Sequence, residues 1–287
     1  MKILLTGGTG LVGRALTEKL LDRNDNVTIL SRQEHKNQKG LTFVTRLTDN
    51  TYFDAIVNLA GEPIFAHRWT VQQKQRICNS RLELTRHLVE FINQNPTPPR
   101  LISGSACGFY GDRKDLLLTE QSSPADTFTG RLCQEWEKTA QQAKSSVALL
   151  RTGIVLSPQG GALAAMLPFY SCALGGTVGG GQQYWSWIAL EDMVNGILFL
   201  LDNPHLQGAF NFTAPTPIRN REFNRQLAAQ LHRPAVLPAP AVALHLAFGE
   251  RAAILLDSQR AIPQRLLEAG FQFRFSQLAD YLSYELA

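Results

Sequence analysis

Gly7, Gly10 and Gly13 recur at every third position of Thr6-Gly7-Gly8-Thr9-Gly10-Leu11-Val12-Gly13, and Ser31-Arg32 stand at the end of the next apolar run. Each glycine meets a separate demand of anion binding. One lets the chain turn sharply, one lets the backbone approach a pyrophosphate, and one lets a helix pack closely on a strand. The N–H groups at the start of that helix, with the positive end of its dipole, would then hold the phosphates. An acidic residue at the tip of the second strand would grip the ribose hydroxyls of NAD. Ser31 and Arg32 instead offer a hydroxyl and a two-pronged guanidinium to the extra phosphate of NADP. The predicted ligand is NADP(H), held by Gly7, Thr9, Gly10, Leu11, Val12, Gly13, Ser31 and Arg32. The same glycine spacing also occurs in ordinary strand-to-helix turns, so the reading rests on its context.

A second set of residues lies further along. Leu59-Ala60-Gly61 closes the apolar run Asp54–Leu59, and Gly61 would let backbone come close to the cofactor. Ser105 and Tyr110, in the small-residue segment after Arg100–Ser103, bring hydroxyls to the place where an open α/β sheet puts its substrate chemistry. Arg81, on the polar side of a long helical segment, is either a solvated surface residue or a group near cofactor or substrate.

The elements that must position these residues follow from periodicity. Apolar runs at Lys2–Leu5, Val27–Leu30, Asp54–Leu59, Arg100–Ser103 and Val147–Leu150 predict buried strands. Helical spacing over Leu11–Leu21, Thr70–Asn95 and Phe128–Ala143 alternates with them, which predicts an α/β fold with a Rossmann-type doubly wound parallel sheet. Residues 1–156 form the dinucleotide-binding core in this reading, with later segments returning to it. Residues 157–233 form a smaller substrate-side lobe, and residues 234–287 a helical extension. Glycine pairs between Ser157 and Gln183 suggest a mobile lid around a short helix, or a plain linker. Tyr184-Trp185-Ser186-Trp187-Ile188 suggests the core of the second lobe, Glu191–Leu201 a helix, and Pro240–Leu256 another.

With 287 residues and 44% hydrophobic content the chain can bury a large core. The net charge of +4 is spread along it, and the one short basic stretch, His35–Lys39, lacks interleaved aromatics, so nucleic-acid binding is not expected. The four cysteines form no CxxC pair, which argues against a disulfide framework or a metal site. No apolar run has membrane-span length and no signal-peptide pattern leads the chain, so a cytoplasmic setting with a small-molecule substrate is expected. The oligomeric state is open.

The glycine loop, Asn58-Leu59-Ala60-Gly61, the Ser105–Gly111 segment and Trp187-Ile188-Ala189-Leu190-Glu191-Asp192 resemble the extended short-chain dehydrogenase/reductases, the group that includes nucleotide-sugar epimerases. More narrowly, residues 61–69 (GEPIFAHRW), residues 150–169 (LRTGIVLSPQGGALAAMLPF) and the tail motifs RPAVLPAPA and RAIPQRLLEAGFQF are similar to the atypical SDR39U1-like or YfcH-like epimerase family proteins. These carry a C-terminal extension of the DUF1731 type.

The resemblance implies an NADP(H)-dependent oxidoreductase or epimerase with a serine or threonine after the central strand and a Tyr-x-x-x-Lys on the next helix. There the tyrosine moves a proton and the lysine holds the nicotinamide ribose. The aligned helix here has no such pair: Gly130 and Glu137 align with the family helix, which puts Thr129 in the tyrosine position and Cys133 in the lysine position. Arg81 falls where the family carries an asparagine, and could supply the missing cation. Ser105 is the aligned serine, with Ser103 the other choice because the segment is one residue longer than usual. Tyr110 is a scaffold residue or a replacement acid. Cys133 is an inert buried thiol, or a reactive one if Arg81 depresses its pKa. Glu62 acts on substrate or caps a helix. Two functions follow: a reductase or epimerase-like enzyme of unknown small polar substrate, or a weakly catalytic NADP(H)-binding sensor.

Overall fold

The computed structural model describes residues 1–48 and 51–287. Its first half runs β1 (Lys2–Thr6), α1 (Leu11–Asp22), β2 (Asn26–Leu30), β3 (Leu41–Val44), β4 (Ala55–Asn58), α2 (Val71–Gln94) and β5 (Arg100–Ala106). Then come the short β6 (Leu117–Leu118), α3 (Phe128–Ala140), β7 (Val147–Thr152), β8 (Ile154–Ser157), α4 (Gly161–Ser171), β9 (Tyr184–Trp185) and β10 (Trp187–Ala189). The remainder is α5 (Leu190–Asp202), β11 (Gly208–Phe212), β12 (Ile218–Arg219), α6 (Asn220–Gln230), α7 (Ala241–Phe248), α8 (Ala253–Leu256), β13 (Arg260–Ala261), α9 (Gln264–Glu268) and α10 (Leu278–Glu285).

Seven strands form one parallel sheet in the order β3-β2-β1-β4-β5-β7-β11. The period of two in β1 decides which helices cover which face. Ile3 and Leu5 join the core under α1 and α5, whereas Leu4 joins the core under α2 and α3. Chain order reverses on the two sides of β1, so the crevice at the carboxyl ends of β1 and β4 is where such a sheet takes its ligand.

The short strand β3 went unread in the sequence, because four residues after a polar stretch give too little periodicity to separate them from loop. Its outer position lets it be brief: among the described strands it pairs with β2. Residues 190–212 return to the main sheet, α5 packing beside α1 and β11 closing the far edge on β7.

The other lobe is built on the aromatics. Trp185 and Trp187 are buried with Phe223, Phe275 and Tyr281, and Trp185 lies edge-on to Phe223 at 5.3 Å between ring centres. Two expectations need correction. The segment Pro240–Leu256 is not one helix, because Gly249 takes a φ of +60° and ends α7 before a 3-10 turn leads into α8. The glycine-rich 175–181 segment is tied down rather than loose: Leu237 N–H donates to the Gly175 carbonyl, Ala239 N–H to Thr177 and Gly179 N–H to Ala239.

Candidate functional site

The turn from β1 into α1 has the geometry that the glycines anticipate. Gly7 has a φ of +71°, and a Cβ there would stand 2.8 Å from the carbonyl of Leu59. A Cβ on Gly13 would meet the Gly7 oxygen at 2.1 Å, so only glycine lets the helix sit this low on the turn. The first intrahelical bond runs from Arg14 N–H to the Gly10 carbonyl, no side chain caps the helix and no acid stands in its first turn. The N–H groups of Leu11, Val12 and Gly13 therefore project outward beside the dipole's positive end, a cradle that fits a pyrophosphate. Thr9 is exposed on the rim, its carbonyl accepting from Arg14 Nη1 at 3.1 Å.

At the tip of β2, Ser31 Oγ accepts the Gln33 N–H at 3.2 Å, which shapes the turn and leaves Arg32 exposed. A cavity of about 390 Å³ adjoins it, with His35, Phe43 and Arg46 in its walls. His35 and Phe43 stack with ring centres 4.7 Å apart. This end of the crevice offers two aromatic rings tilted by 36° and two guanidinium groups, a match for an adenosine bearing a phosphate.

Next to the cradle, β4 is joined to its neighbours by buried polar bonds. Thr6 Oγ1 donates to Asn58 Oδ1 at 2.7 Å, and Asn58 Nδ2 donates to Thr85 Oγ1 at 2.9 Å. Trp136 Nε1 reaches the same Thr85 oxygen at 2.9 Å. Ser103, the alternative serine, is fully buried 3.4 Å from Asn58 Nδ2 and belongs to this network beneath the sheet end.

Beyond β4, Leu59 and Ala60 are half-buried and Gly61 is exposed, and a side chain at Gly61 would collide with Arg81, whose Cζ lies 2.9 Å from an ideal Cβ. Arg81 is thus no surface residue. Nη1 donates to the Ile77 carbonyl at 3.2 Å and Nη2 to the Glu62 carbonyl at 3.1 Å, and the guanidinium lies over the Trp136 ring. Burial pushes it below its ordinary pKa, and Cys133, Cys78 and Glu62 all lie within its field. Glu62 donates its N–H to Ser80 Oγ at 2.9 Å.

The end of β5 holds a connected ion-pair network that the sequence reading missed. Glu137 on α3 takes two bonds from Arg151 of β7, from Nε to Oε1 and from Nη2 to Oε2, both at 2.8 Å and both side chains buried. Ser105 Oγ donates to the same carboxylate at 2.6 Å. Arg151 Nη1 continues to Tyr110 Oη at 3.1 Å, and Tyr110 donates to Asn211 Oδ1 at 2.6 Å. The guanidinium lies 3.6 Å from the centre of the Phe109 ring. A glutamate on the apolar side of a helix and an arginine inside Val147–Thr152 were the available signals.

These placements distribute the candidate roles. Tyr110 has no exposed surface, and burial raises its phenol far above the ordinary range, so it braces the sheet end instead of facing a substrate. Cys133 is 4% exposed and burial, with the nearby Glu137 charge, pushes its thiol up to about 11. Arg81 does not make it a thiolate at neutral pH. Ser105 sits close to the crevice, yet its single proton is directed inward. Thr129, half-buried in the tyrosine position, shares its hydroxyl with the α3 cap Thr127 at 3.2 Å.

The C-terminal segment covers the loop that follows Gly61. Arg251 Nη1 donates to the Phe65 carbonyl at 2.6 Å, Phe65 and Phe248 stack at 5.2 Å, and Arg68 reaches the Ala247 carbonyl at 3.2 Å. The glycines at 160 and 161 face Leu11, which brings the β8–α4 turn to the edge of the phosphate cradle.

The crevice and its glycine cradle define a dinucleotide-binding α/β protein. The chain belongs to the NAD dependent epimerase/dehydratase family, whose model matches residues 3–212, and residues 239–284 match a domain of unknown function, DUF1731. It is 37% identical to the chloroplastic epimerase family protein SDR39U1 homolog of Arabidopsis thaliana, over 98% of this chain and 86% of that one. It is 39% identical to epimerase family protein Mb2239 of Mycobacterium bovis, over 98% and 96%. The crystal structure of human epimerase family protein SDR39U1 with NADPH superposes with a TM-score of 0.93 at 33% identity, covering 100% of this chain and 99% of that chain. No helix among the described residues is long and apolar enough to cross a membrane.

Proposed function

We propose that this protein binds NADP(H) across the carboxyl ends of β2, β1 and β4 and acts as an oxidoreductase or epimerase-like enzyme on a small polar molecule. The observation that carries this reading is the pairing of an uncapped, acid-free α1 N-terminus with Ser31 and Arg32 at the β2 tip. Leu11, Val12 and Gly13 would hold the pyrophosphate, Arg32 and Ser31 the 2′-phosphate, and Leu59, Ala60 and Gly61 the backbone edge beyond it. The bound cofactor would supply the hydride. The main sheet, with residues 190–212 returned to it, carries the cofactor, residues 157–189 and 213–233 form the substrate side and residues 234–287 brace the loop after Gly61. The setting is a reducing cytoplasm, with neither nucleic acid nor membrane as partner.

Calorimetric titration tests this directly. NADPH should bind far more tightly than NADH, and Arg32→Asp should weaken NADPH strongly while leaving NADH nearly unchanged. Equal losses for the two dinucleotides would remove the 2′-phosphate assignment. Turnover is tested by NADPH oxidation over a panel of carbonyl compounds and sugar nucleotides.

The arrangement around Ser105 supports a second reading, a binding protein that reports NADP(H) state. Ser105 and Tyr110 spend their protons inside the Glu137–Arg151 network, and Cys133 remains a buried thiol. Cofactor binding needs none of these groups in a catalytic role. A measured turnover that falls on Ser105→Ala would exclude it.

A further inference from the structure

We infer that Arg81 makes the site selective for the reduced cofactor, an inference that rests on the dinucleotide reading above. With Ser31 and Arg32 at the β2 tip and the pyrophosphate cradle at α1, the far half of a bound dinucleotide must extend over the ends of β4 and β5. Arg81 occupies that half. Its guanidinium abuts Gly61 just past β4, and it lies over Trp136, whose ring is packed against Gly104 of β5.

The charge there is not neutralised by a bonded carboxylate. Among the described residues Arg81 makes no ion pair; its partners are the carbonyls of Ile77 and Glu62 and the hydroxyl of Ser80. The Glu62 carboxylate is the one acid in its field, and it is half-exposed and makes no hydrogen bond to the guanidinium. Cys78 and Cys133 also face it, and burial raises both thiols, so they stay neutral at physiological pH. Arg81 is therefore a largely desolvated cation without a strong internal counter-charge.

Oxidised nicotinamide carries a positive charge on its ring and the reduced ring is neutral. All other parts of the two cofactors are identical, so the pyrophosphate cradle and Arg32 contribute equally to both. Repulsion between the half-buried guanidinium and the ring cation then separates them. A protein built this way responds to the ratio of the two forms, the property that the sensor reading requires.

Titration of the full-length protein with NADPH and with NADP⁺ tests this. The wild type should bind NADPH about tenfold or more tightly, a difference of about 1.4 kcal/mol. Arg81→Gln should bring the ratio toward one, chiefly by improving NADP⁺ binding, and Arg81→Lys should keep most of it. Equal affinities in the wild type would overturn the inference and leave the dinucleotide reading standing. So would an Arg81→Gln variant that weakens both forms equally, which is what a purely structural grip on the Glu62 turn would produce. The wild-type ratio needs no variant, so poor folding of Arg81→Gln leaves the test intact. Binding of neither form would instead remove the dinucleotide reading itself.

Discussion

Ser105 shows how one hydrogen bond reassigns a residue. A serine hydroxyl has a single proton, and here a carboxylate already held by Arg151 accepts it, which leaves only lone pairs for anything in the crevice. The network is correspondingly sensitive to loss of charge. Glu137→Gln strands Arg151 in a buried site and is expected to lower unfolding free energy by about 3–5 kcal/mol in urea titrations. Tyr110→Phe removes only a hydroxyl bonded to Asn211 and Arg151, and should lose about 1–3 kcal/mol while leaving NADPH affinity unchanged by calorimetry. The thiols sort by burial in the same way. Brief alkylation of the native protein at pH 7.5, read by mass spectrometry, should label exposed Cys172 and spare Cys107 and Cys133.

Among the elements, the β1–α1 turn is the one whose residues are least replaceable. Gly13→Ala would drive a methyl group into the Gly7 carbonyl, and the only relief is to lift α1 off the turn, which pulls its N–H groups away from the cradle. The expected result is loss of dinucleotide binding by at least tenfold together with a lowered Tm; unchanged affinity would show that the cradle tolerates a raised helix. This unit was legible from sequence because its demands are local: strand period, glycine spacing and helix period all lie within residues 2–30. The long helix α2 was legible for the same reason, with Thr70 capping it through the Gln73 N–H. Its inward-turned Arg81 was not, since helical spacing put that residue on the polar side and only the packing of Trp136 and Gly61 draws it in.

The whole molecule adds a link between distant parts of the chain. Strand β13 pairs with β6, and Asp257 beside it faces Asp112 and Lys114 across the junction. Burial, reinforced by Asp112, raises the Asp257 carboxyl from 3.8 to about 6. The fold therefore prefers the protonated form. That contribution is complete below about pH 4 and is lost as pH rises through about 6, so the ionised group weakens the junction at neutral pH. Asp257→Asn should raise Tm at pH 8, by a stabilisation on the order of 1 kcal/mol after solvent screening, and have little effect at pH 4. Thermal scans at the two pH values check the sign.

What the amino-acid order determined by itself is whatever depends on neighbours in the chain: the alternation of strands and helices, the glycine turn, the basic tip of β2 and a Phe128–Ala140 helix without a Tyr-x-x-x-Lys pair. Tertiary structure alone decided where protons and charges point. Ser105, Glu137, Arg151, Tyr110 and Asn211 are separated by up to 101 residues between bonded partners, and no local pattern encodes a bond of that reach. The physical reason is that periodicity reports which side of an element is apolar. The partner of a buried polar group is set by which elements the sheet brings together.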